Sequence, residues 1–112
     1  MFNVNSPLAT ESTTEAALAA VSKHPRVTLQ ALEDNIKEVE YVTHKASSGQ
    51  VLRWAVIICQ NGFAVTGDPS AAVSPENDNE VLGKEIAFKN AKEKLWAFMG
   101  YDLKAQLARG TI

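Results

Sequence analysis

Arg53 is the residue that most invites a chemical reading. It stands beside Trp54 within residues 51–60, the most apolar run of the chain, and a guanidinium in such surroundings needs a partner. Two readings stand open: Arg53 sits at the start of that run in water, or it reaches an anionic ligand, because a planar guanidinium matches phosphate. Lys84, Lys89, Lys92 and Lys94 form a second basic strip; such lysines ordinarily solvate a helix face or pair with Glu85 and Glu93. Ser74 and Asn77 share one loop with Asp68, Glu76 and Asp78, and that loop leads into a helix. Backbone N–H groups at such a junction receive anions. The local acids compete for the same dipole and could instead accept hydrogen bonds from ribose hydroxyls or a base edge. Trp54, Phe63, Trp96 and Tyr101 could stack a base, although aromatics at such positions more often fill a core.

Constellations for catalysis are lacking. Cys59 has Ile57 and Ile58 beside it and no neighbouring His or Lys, which describes an inert buried thiol. His24 and His44 are separated by a helix, and no Cys or acidic pair has metal-ligand spacing. Glu38/Glu40 and Glu76/Asp78 read as solvated charges or caps rather than a general acid and base. Neither a phosphate-cradling glycine loop nor a nucleophile elbow occurs. The sequence therefore predicts a non-enzymatic protein with no cofactor and no metal.

The elements that must position these residues follow from periodicity. Ser12 and Glu15 have the form of a capping box, predicting a helix over about 13–23 that stops before Pro25. Thr28 caps a second helix over about 29–37, with Leu29, Leu32 and Ile36 on one face. From Val39 the period becomes two, which predicts a strand to His44. Residues 47–50 turn the chain into the strand 51–60, apolar on both faces and so expected to be covered twice. Asn61-Gly62 predicts a two-residue hairpin turn, and 63–67 returns as a third strand. Residues 68–73 read as a loop. A long helix then starts at Asn77, or earlier at Ser74-Pro75, and ends at Gly100 as its C′ residue, followed by a short closing helix to about Arg109. Its apolar stripe is Val81, Phe88, Ala91, Leu95 and Met99. Leu82, Ile86 and Trp96 lie off that stripe and predict a second buried side, against the closing helix or a second protomer.

The expected fold class is α+β: a three-stranded antiparallel meander, a long C-terminal helix, a short closing helix, and one or two short helices before the sheet. At 112 residues this suits one domain over 26–112, preceded by a loose arm over 1–25. So short a chain buries a modest core, which favours a homo-oligomer, dimer or higher. With 46% apolar and 21% charged residues the composition is that of a soluble globular protein. The net charge of −2 argues against general attraction to nucleic acid or anionic lipid. No run of eighteen apolar residues predicts a membrane span, and the start lacks the pattern of a signal peptide. A single cysteine allows no internal disulfide and fits a reducing cytoplasm.

Three blocks, taken in order, resemble a known family. They are Pro25-Arg26-Val27-Thr28-Leu29 with Ile36 and Tyr41; Asn61-Gly62-Phe63 through Gly67, then 72–77; and Gly83-Lys84, Ala87, Asn90-Ala91, Lys94-Leu95-Trp96 and Gly100-Tyr101-Asp102-Leu103. Over about 25–107 the chain is similar to the small phage and prophage proteins that include the Thoeris anti-defence sponges. That resemblance implies a protein of the host-cell cytoplasm that binds a cyclic ADP-ribose-type or CBASS cyclic-oligonucleotide immune signal and sequesters it uncleaved, in oligomers with ligand sites at subunit junctions. It carries Ser74, Asn77, Asn90 and Lys94 over as ligand-binding residues; Arg53 and Phe63 join them from the physical reading. The chain departs from the pattern where Asp68-Pro69 adds a residue before Ser70, where Ala72 replaces a frequent Cys, where Asp78 stands in place of an aromatic, and where Lys92 and Lys94 replace Arg. The alternative function is a protein-binding inhibitor of a host enzyme, which predicts an exposed apolar patch. A single-stranded DNA-binding module would need a basic groove with aromatics.

Overall fold

The computed structural model describes residues 15–18 and 25–111. The arm expected over 1–25 and the Ser12 half of the capping box lie outside them, apart from a helical stretch at 15–18 and Pro25. Glu15 Oε1 lies 2.7 Å from Arg26 Nη2.

Helix α1, Leu29–Asp34, begins where Thr28 Oγ1 accepts from Ala31 N, as the cap signal predicts. It stops earlier than expected. Ile36 already pairs with Cys59, and a bulge between Ile36 and Glu38 shifts the register into β1, Ile36–Lys45. Strand β2, Val51–Cys59, is antiparallel to β1 on one side and to β3, Ala64–Thr66, on the other. Both hairpins close in the same way. Gly49 N donates to Ala46 O and Ala46 N to Gln50 O; Gly62 N donates to Cys59 O and Cys59 N to Phe63 O. In each the third loop residue, Gly49 or Gly62, has positive φ, which among the described residues only glycines show. These are three-residue loops with a bulge. The two-residue turn expected at Asn61-Gly62 does not form, because Asn61 keeps negative φ and uses its Oδ1 to accept from Phe63 N.

The segment expected as a loop after Gly67 rejoins the sheet. Strand β4, Ser70–Ala71, pairs with Arg53 and Leu52 of β2. Thr66 faces Val56 and Ser70 faces Arg53, so three residues, 67–69, oppose two. β3 and β4 are thus one edge strand interrupted by a bulge. Pro69 is tolerated there because an edge strand has donors to spare.

Helix α2 runs unbroken from Glu80 to Arg109, 30 residues. The expected stop at Gly100 and the separate closing helix are not formed. Gly100 costs a helix only about 1 kcal/mol, too little to break a run whose following residues are good helix formers. The left-handed cap falls instead on Gly110, φ 73°. The start also differs from both sequence readings. Pro75–Asn77 is a 3₁₀ turn after Ser74, and Asn79 caps α2, its Oδ1 accepting from Leu82 N.

α2 lies along one face of the sheet. Arg53, Ala55, Ile57 and Cys59 of β2 are buried beneath it, with Val65, Ala87, Ala91, Leu95 and Leu32 of α1 completing the core. The buried side of α2 is a row of small residues, Gly83, Ala87 and Ala91, ending in Leu95, which lets helix and sheet approach closely. Val81, expected in the apolar stripe, is 69% exposed, and the expected second buried side carries Leu82 and Ile86 in solvent. β2 alternates, so Leu52, Trp54, Val56 and Ile58 turn to the opposite face, half-buried, and take no part in this core. Among the described residues the strand is covered once, not twice.

Candidate functional site

The segment from the bulge before β4 to the start of α2 is tied down at three points. Arg53 projects from β2 toward α2 and forks onto Asp78: Nη1 lies 2.6 Å from Oδ1 and Nη2 2.8 Å from Oδ2. Bidentate pairing of this kind fixes orientation as well as distance. The guanidinium passes close to Gly83, where a Cβ would meet Nη1 at 2.9 Å and Ser70 Oγ at 3.3 Å. The second tie is Asn90, whose Nδ2 donates to Asp68 O at 3.0 Å and holds the bulge. The third is the Asn79 cap. Between the ties, Ser74 Oγ donates to Glu76 Oε2, and Asn77 N closes the 3₁₀ turn on Ser74 O.

The electrostatics follow the pairing. The hydrogen bond from Arg53 holds the Asp78 carboxyl below its ordinary range, and the same bond raises the already high pKa of Arg53. Ser74 lowers Glu76, and Lys84, 2.9 Å from Glu80, lowers Glu80. Lys84 Nζ also sits 5.4 Å from the centre of the Tyr41 ring. Burial pushes the Cys59 thiol up, which keeps it protonated and unreactive.

The six residues singled out in the sequence fall into separate places. Arg53, Ser74 and Asn77 share the end of the sheet where α2 begins. Asn90 stands midway along α2. Phe63 is at the tip of the second hairpin, edge-on to Phe98 with ring centres 5.5 Å apart, and Lys94 is exposed on the same stretch of α2. Arg53 and Cys59 are six strand positions apart, about 20 Å, so one small ligand on one subunit cannot touch both Arg53 and Phe63. The sequence did not single out Asp78 as the partner of Arg53. The signal was there, a charge in an apolar strand that demands a counter-ion, but four nearby acids were equally eligible by spacing.

A separate cleft of about 230 Å³ opens at the far end of α2, lined by Arg26, Val27, Asn35, Met99, Asp102 and Leu103 among others. Among the described residues no three His, Cys, Asp or Glu side chains gather as a metal site, and no helix is long and apolar enough to cross a membrane.

The family model described as phage protein (N4 Gp49/phage Sf6 gene 66) matches residues 27–107. No curated protein and no solved structure matches the chain.

Proposed function

The chain belongs to the phage protein (N4 Gp49/phage Sf6 gene 66) family, and we propose that it is an anti-defence protein that binds a cyclic ADP-ribose-type or cyclic-oligonucleotide immune signal in the host cytoplasm and withholds it intact. The observation that carries this reading is the pinned loop. Its Ser74 and Asn77 stand between β4, whose preceding bulge Asn90 clamps, and the Arg53–Asp78 fork and Asn79 cap. A polar loop ordered before its ligand arrives binds without the entropy cost of ordering itself. Beside it, Val81, Leu82 and Ile86 expose apolar surface on the first turns of α2. A second copy seated there would bring in groups that one subunit keeps apart and make the working unit a homo-oligomer.

Calorimetric titration with cyclic ADP-ribose isomers and cyclic di- and trinucleotides tests the reading. The expected result is tight binding of at least one, with the same molecule recovered unchanged after heating the protein. No heat with any of them, together with no protection of phage in a defence assay, defeats it.

A second reading has one observation in its favour. The sheet face that no described element covers presents the half-buried Leu52, Trp54, Val56 and Ile58 beside the half-exposed Val42. Apolar surface of that kind suits an inhibitor that docks on a host enzyme. Retention of one host protein on the wild type, lost in Trp54→Glu, would favour it over signal capture.

A further inference from the structure

β1 is the outer strand of the sheet, and its far edge has no partner among the described residues. The hairpin determines which backbone groups it leaves free. Ala46 N donates to Gln50 O, and the register runs unshifted from there to Glu38 opposite Ile58. In an antiparallel pair, alternate residues point both backbone groups at the partner strand. Glu38, Glu40, Val42 and His44 therefore bond β2, while Val39, Tyr41, Thr43 and Lys45 turn N–H and C=O outward. Cys59 N, which donates to Phe63 O on the other side of β2, fixes the same phase.

Such an edge is a template for another strand unless it is short, kinked or covered. β1 is 10 residues long. Its bulge lies at the start, between Ile36 and Glu38, and it contains no proline. α2 packs on β2, β3 and β4 and leaves β1 open on both faces. Tyr41, on the side of α2, is 38% exposed, and Val42, on the opposite side, is 49% exposed.

Pairing of two copies through this edge has few solutions. A two-fold axis normal to the sheet sets one residue opposite itself and pairs the rest symmetrically about it. Centring on Val39 or Glu40 opposes carboxylates. Centring on Tyr41 sets Lys45 against Lys37 twice. Centring on Thr43 or beyond shortens the overlap and leaves Glu40 unmatched. Centring on Val42 opposes no like charges. It stacks Val42 on its own copy and sets Tyr41 opposite Thr43, both with outward backbone groups. It lays the Glu40 carboxylate against a His44 ring N–H twice, and Val39 meets the stem of Lys45. Cross-strand pairs of these kinds stabilise a sheet, and like charges directly opposite destabilise it.

We propose that β1 is a self-association edge: two copies pair their β1 strands antiparallel about Val42, and the two sheets become one. The contact is separate from the apolar first turns of α2 and does not rest on the signal-binding reading.

Sedimentation velocity over a concentration series tests it, with circular dichroism to check folding. Thr43→Pro removes an outward N–H and no bond to β2, which an edge strand tolerates. Glu40→Lys removes the acceptor facing His44, and Glu40→Lys/His44→Glu restores an opposed pair in the reverse sense. Leu82→Glu disturbs the separate surface on α2. Wild type is expected to self-associate, and folded Thr43→Pro to lose that association. Glu40→Lys should weaken it about tenfold, the double variant should regain wild-type strength, and Leu82→Glu should still pair through β1. A monomeric wild type, a Thr43→Pro that associates as wild type does, or complete dissociation by Leu82→Glu overturns the proposal. If Thr43→Pro does not fold, Glu40→Lys and its double variant decide: an unchanged single variant or a double variant without recovery overturns it. No ligand enters the measurement, so its outcome is independent of the nucleotide titrations.

Discussion

Gly67 lies directly against the backbone of Asn90. A Cβ built at Gly67 would stand 2.3 Å from Asn90 O and 2.7 Å from Ala91 N, and the Asn90 side chain reaches back to Asp68 O. The bulge in the edge strand and the middle of α2 are therefore one contact. Gly67→Ala is expected to cost about 3 kcal/mol or more, since the obstructing atoms belong to a helix backbone that cannot step aside. Urea unfolding measures it. A loss within about 0.5 kcal/mol would show that the helix does not lie on the bulge.

Acid stability follows from Asp78. Its folded pKa is lowered by the Arg53 bond, so the pair's contribution is fully present above the unfolded-state value of about 3.9. It drains away as pH falls from there through the lowered folded value. Wild type should lose stability over that acid range more steeply than the double variant Arg53→Met/Asp78→Leu, which has no pair to lose. Thermal midpoints from pH 6 down to pH 2 read this out, and parallel curves would contradict it.

Gly100→Ala is expected to stabilise the protein by about 0.5–1 kcal/mol. Gly100 has helical backbone inside α2, and nothing lies within 4 Å of the added methyl. A helix that ended at Gly100 in a left-handed residue would be destabilised by the same change. The sign of the shift in thermal midpoint therefore separates one long helix from two.

Cys59 is 3% exposed and its thiol is pushed up by burial. A disulfide reagent such as Ellman's should label it only as fast as the protein unfolds, with full labelling in denaturant. Rapid labelling of the native protein at neutral pH would place the thiol outside the core.

Sequence periodicity made the larger elements legible. The Thr28 cap, the change of period near Val39, the apolar run of β2 and the helical pattern after residue 80 gave the α+β class and the antiparallel order correctly. The misses share one physical origin, which is that local signals are read without the partner that overrides them. Gly100 resembles a helix stop only until Met99 and Leu103 on either side of it find Arg26, Val27 and Asn35 to line a cleft with. Residues 70–71 resemble loop until β2 offers them an unpaired edge. Asn61-Gly62 resembles a two-residue turn until the strand register leaves three residues to bridge. The site was legible to the same depth. Arg53 announced that it needed a counter-ion, but choosing Asp78 required knowing that the 3₁₀ turn would bring that carboxylate back to the guanidinium.

The last turns of α2 line one cleft with the segment from Arg26 to Asn35. Residue 111 therefore emerges at the pole of the domain where Arg26 lies, remote from Ser74 and Asn77. A tag, a fusion partner or a sensor-chip linker joined after residue 111 would leave the opposite pole unobstructed, so the molecule can be tethered there without masking the loop where capture is read.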